Sequence, residues 1–80
     1  MNLYVGQSGD KKLIEAALAA MESFPPAEFF QFESSPTSLG EYALKAQVSE
    51  SMEAKYLNEQ FSLIRAFFEG FQKAWWAAKA

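Results

Sequence analysis

Tyr42-Ala43-Leu44-Lys45-Ala46-Gln47-Val48 decides the fold. Tyr42, Leu44, Ala46 and Val48 alternate with Ala43, Lys45 and Gln47, the period of a strand with one buried face and one wet face. Ala, Leu, Lys and Gln are also good helix formers, so by propensity the segment could open a helix that runs into the next one. An all-α helical bundle is therefore the alternative to an α+β fold. We follow the pattern and read a strand.

Upstream, Ser34-Ser35-Pro36-Thr37-Ser38-Leu39-Gly40 reads as a loop by composition. Glu28-Phe29-Phe30-Gln31-Phe32-Glu33 reads as another strand, with Phe30 and Phe32 on one side and Phe29 on the other. Pro25-Pro26 ends whatever helix precedes it at or before Phe24, because proline has no amide hydrogen and restricts the residue before it. That helix carries Leu13, Ile14, Ala17, Leu18, Ala20 and Met21 on its apolar side, and Ser8 or Asp10 can cap its first amides. Asn2 to Gly6, with Tyr4 and Val5, reads as a first strand closed by the turn residues Gly6-Gln7-Ser8-Gly9.

Downstream, Ser49 to Ala80 reads as one long helix. Leu57, Phe61, Ile64, Phe68, Phe71 and Trp75 follow at steps of four and three, the spacing that stacks side chains on one helix face. Tyr56, Leu63, Phe67 and Ala74 flank that row. Ser49 or Ser51 can cap the helix, and Glu50 and Glu53 suit the positive end of its dipole.

The expected order is β-α-β-β-α: a three-stranded antiparallel or mixed sheet with two helices packed on one face. A right-handed crossover around the first helix lets the third strand pair antiparallel between the first two. This arrangement resembles a ferredoxin-like fold without its last strand. The resemblance is one of topology and implies no activity.

The chain has 80 residues, enough for one domain. Its apolar content is 50% and its aromatic content 16%, more than a small core needs, so part of it is expected against another chain. Roughly thirty helical residues at ~1.5 Å each give ~45 Å, whereas a globule of this length is ~30 Å wide. The helix is therefore expected to break near Gly70, or to project so that residues 71–80 form a partner-binding end. Phe67, Phe71, Trp75 and Trp76 are the candidate contact residues, since aromatic side chains anchor interface hot spots. Tyr4 and Phe29, expected on the sheet face away from the helices, are further candidates.

Histidine and cysteine are both absent, which removes disulfides, zinc-thiolate sites and catalysis built on imidazole or thiolate. No cofactor or metal is expected, and enzyme chemistry would fall to carboxylates such as Glu28, Glu33, Glu41 and Glu59. The net charge of −3, with seven basic residues scattered along the chain, opposes attraction to nucleic acid or anionic membrane. The loop Gly6 to Lys12 lacks the glycine spacing and the lysine-hydroxyl ending of a phosphate-binding loop. The N-terminus lacks the pattern of a signal peptide and no window reaches transmembrane length, so the cytoplasm is the expected location.

The reading these features support is a small non-enzymatic module that binds a larger protein, as an inhibitor or adaptor, through its C-terminal helix and an exposed sheet edge, the free first strand offering its unpaired backbone groups. A homodimer through the helix is expected, and a host-directed inhibitor of a mobile element would have this character. Two other readings are a nucleic-acid-binding module stacking bases on Tyr4 and Phe29, and a carboxylate-dependent enzyme.

Overall fold

The computed structural model describes residues 2–48 and 53–79. Strand β1 spans Asn2–Ser8, helix α1 Lys11–Met21, a 3₁₀ helix Pro25–Phe29, strand β2 Phe30–Pro36, strand β3 Tyr42–Val48 and helix α2 Ala54–Lys79. The sheet order is β1-β3-β2 and both pairings are antiparallel. The fold is thus α+β with the expected β-α-β-β-α order. The segment at Tyr42–Val48 is the central strand, and the all-α alternative falls.

Alternation along β3 sends Leu44 and Ala46 into one core with Leu13, Ile14 and Ala17 of α1 and Ile64 and Phe68 of α2. Both helices therefore cover the same face of the sheet. Strand β1 reaches this core through a bulge at Val5, where its register against β3 shifts between Tyr4 and Gly6. Gly6 then faces Phe68. A β-carbon at Gly6 would lie 2.6 Å from that ring, so the glycine makes room for the aromatic packed on it.

Asp10 caps α1, its Oδ1 accepting from the amides of Lys12 at 3.0 Å and Leu13 at 3.3 Å. Ser8 instead accepts the amide of Asp10 through Oγ. The expected cap of α2 at Ser49 or Ser51, and Glu50 with it, lies outside the described residues. Glu53 precedes α2, and its carbonyl accepts the Leu57 amide.

Three features depart from the sequence reading. Pro25-Pro26 do not merely end α1; their fixed φ suits the first turn of a helix, and they open the 3₁₀ helix whose last residue is Phe29. The strand expected from Glu28 consequently begins at Phe30. It also runs through Ser34, Ser35 and Pro36, read above as loop, because Leu44, Ala43 and Tyr42 pair across from them. The turn itself is Thr37 to Glu41: Thr37 Oγ1 accepts the amides of Leu39 and Glu41, and Gly40 takes a φ of 79°.

The third departure concerns α2, which is continuous through Gly70 for 26 residues. The molecule measures 40 × 26 × 17 Å, and at ~1.5 Å per residue the helix fills its long dimension. A sphere of this mass is too short for the helix, but a single helical layer on a small sheet makes an elongated slab. The 3₁₀ helix extends the body under one end of α2, and the start of α1 extends it under the other.

Candidate functional site

The candidate residues at the end of α2 belong to a ladder. Phe24 stacks on Phe67 with ring centroids 4.6 Å apart, Phe67 on Phe71 at 6.2 Å, and Phe71 on Trp75 at 6.1 Å. Lys79 stands over the Trp75 ring at 4.9 Å. The Trp75 Nε1 and the Lys79 ammonium each donate to Asp10 Oδ2 across 2.9 Å. Asp10 thus caps α1 with one oxygen and holds α2 with the other. The Lys79 and Trp75 hydrogen bonds, with help from the Leu13 amide and against partial desolvation, lower its pKa from 3.8 to about 2. Phe67, Phe71 and Trp75 are half-buried against the core rather than projecting from it. Trp76 is the exposed aromatic of this end, at 54%.

Tyr4 and Phe29 do not share a surface. Tyr4 pairs with Lys45 across the sheet and lies half-exposed on the open face. Phe29, placed on the 3₁₀ helix by the two prolines, meets Tyr56 of α2 edge-on at 5.7 Å. The two-aromatic platform expected for base stacking is therefore not assembled, and Tyr4 has Gln31, Glu33 and Gln47 as its polar companions on that face. The Pro-Pro pair was the sequence signal that could have moved Phe29 off the strand.

The four candidate carboxylates stand apart: Glu28 on the 3₁₀ helix, Glu33 on β2, Glu41 before β3, where it accepts from the Gln7 amide nitrogen, and Glu59 on α2. Among the described residues no three His, Cys, Asp or Glu side chains are grouped to hold a metal ion. No helix among them is long and apolar enough to cross a membrane.

A concavity lies where the sequence reading did not look. Strand β2 is an edge of the sheet, and between it and the C-terminal half of α1 opens a groove of about 440 Å³. Its floor is apolar, with Leu18 and Met21 from α1 and Phe30 and Phe32 from β2, and Glu22 and Glu28 are exposed along its rim. Alternate residues of an antiparallel edge strand direct their backbone N–H and C=O outward, so β2 offers unmade hydrogen bonds beside an apolar slot. The opposite edge, β1, is less open: the bulge interrupts it, and Gln72 reaches the Gln7 carbonyl at 3.5 Å. A shallower cleft of about 420 Å³ runs between β1 and the Arg65 side of α2. Period-two alternation told of Phe30 and Phe32 pointing to one side, but not that the helices would leave that side partly uncovered. No protein-family model, no curated protein and no solved structure matches this chain.

Proposed function

We propose that this protein acts by binding a larger protein, as a small inhibitor or adaptor, and that the contact forms at the outer edge of β2. The observation that carries this reading is the open strand edge lying beside an apolar groove with an acidic rim. An extended segment of the partner would add to β2 as a fourth strand. Its alternate apolar side chains would enter between Leu18 and Phe32, and basic side chains would meet Glu22 and Glu28. The C-terminal helix contributes less to such a contact than its composition suggests, because Phe67, Phe71 and Trp75 are engaged within the fold. A homodimer built on α2 is compatible with it, since the groove draws on no residue of that helix. The cytoplasm is the place of action we assign, in keeping with a chain without cysteine.

Affinity capture from the native cell, with the wild type and Leu18→Glu as paired baits, tests the reading. A partner retained by the wild type and lost with Leu18→Glu is expected, with its contact mapped to β2 by amide exchange and with both baits shown to be folded by circular dichroism at the temperature of capture. Equal capture by both baits, or protection confined to other elements, would overturn it.

A further inference from the structure

A second feature of α2 bears on association and is independent of the groove. On its outward flank Tyr56, Leu63, Gly70 and Ala77 recur at every seventh position, with Glu59, Ala66 and Lys73 interleaved, and all seven are exposed. Alternating steps of four and three make this the seam of a helix that packs against another helix. Leu63 is 47% exposed and Tyr56, which gives an edge contact to Phe29, is 43% exposed, so both large apolar side chains keep open surface. Gly70 is exposed as well, and no heavy atom outside its own helix lies within 4 Å of where its β-carbon would be. Glycine weakens a helix interior relative to alanine. Nothing within the chain calls for the missing side chain, whereas a closely approaching helix does.

We propose that a second copy of this chain packs on α2, antiparallel, about a two-fold axis near Ala66. The seam is large in its first half and small in its second. An antiparallel two-fold turns that asymmetry into a fit. It sets Leu63 against Gly70 of the second copy and Tyr56 against Ala77, each contact occurring twice, with Ala66 facing its counterpart at the axis. Charge selects the same direction. Glu59 and Lys73 belong to the exposed seam, and the axis brings Glu59 of each copy beside Lys73 of the other. A parallel pairing in register would instead oppose Glu59 to Glu59 and Lys73 to Lys73. Among the described residues Lys73 is held only by Glu69, at 3.3 Å with both side chains about 70% exposed, so its ammonium is open to a second carboxylate.

Sedimentation equilibrium from about micromolar to about millimolar concentration tests the pairing, with five variants. The wild type should self-associate as a dimer. Gly70→Leu, which fills the hole and whose β-carbon has open space in its own chain, should stay monomeric with its helix content intact. Glu59→Lys and Lys73→Glu should each weaken the dimer about fivefold, two exposed ion pairs being lost at once, and the double variant should recover it. Leu18→Glu, placed in the groove, should dimerise as the wild type does, so the two proposals fail separately. A wild type that remains monomeric throughout, a Gly70→Leu dimer of unchanged affinity, or a double variant no better than either single one would overturn the proposal.

Discussion

The indole nitrogen of Trp75 lies 2.9 Å from Asp10 Oδ2, and through this bond the last turns of α2 are fastened to the first turn of α1. The same carboxylate accepts from Lys79 and caps α1, so one side chain joins the two helices at their meeting end. Asp10→Ala is expected to lower the thermal midpoint and shift tryptophan emission to the red as Trp75 loses its partner. Asp10→Asn, which can still cap, should keep α1 helical by circular dichroism while showing the same change at Trp75. Emission unchanged in both variants would mean that the indole does not depend on this bond.

Acid should act on the same link. The Asp10 pKa is 3.8 in the unfolded reference and about 2 in the folded protein, so the proton binds more tightly to the unfolded chain. The contribution of Asp10 is therefore complete above about pH 4 and is lost as the pH falls through about 2. An acid titration followed by near-ultraviolet circular dichroism should show a step in that window which is missing in Asp10→Asn. Identical titrations of the two proteins would refute the assignment.

Glycine to alanine substitutions at two positions should have opposite signs. At Gly6 the new carbon would stand 2.6 and 2.8 Å from two atoms of the buried Phe68 ring, and overpacking of this kind costs about 1–3 kcal/mol. At Gly70 the carbon meets nothing, and the gain in helix propensity should stabilise the monomer by up to about 1 kcal/mol, roughly 4–8 °C in a domain of this size. Thermal melts at low concentration check both. A shift of the same sign in the two variants would contradict the packing of Phe68 on β1.

Along α2, side chains of the inner face should matter to stability in order of burial. Ile64 is fully buried, so Ile64→Ala should cost about 2–5 kcal/mol, a large part of what a domain this small has. Phe71 is half-buried between Phe67 and Trp75, and Phe71→Ala should cost about 2 kcal/mol. Tyr56 meets only the edge of Phe29 among the rings, so Tyr56→Ala should cost about 1 kcal/mol or less. Urea denaturation of the three variants at monomer concentration should return this ranking. Should Phe71→Ala unfold at the wild-type midpoint, the ladder would not be part of the fold.

Much of the architecture was legible because it rests on short-range rules. The alternation in Tyr42–Val48 identified the central strand against the helix propensity of its own residues, and the row from Leu57 to Trp75 identified the inner face of α2. Asp10 was one of two residues named as a cap. Strand ends were less legible: Ser34, Ser35 and Pro36 have loop composition and became strand because β3 lies beside them. Phe29 was misplaced because the alternation of one residue was weighed without the turn that two prolines impose just before it.

The sequence by itself determined the element order, the strand at Tyr42–Val48, the cap of α1 and which face of each helix is apolar. All of these depend on residues within a turn or two of one another. Only the tertiary structure decided what those faces meet. It turned Phe71 and Trp75 inward, Trp75 to a carboxylate 65 residues away, left β2 as an open edge over a groove, and exposed Tyr56, Leu63 and Gly70 on the outward flank of α2. Periodicity specifies that a face is apolar, but whether it becomes core or contact surface depends on how far the neighbouring layer reaches.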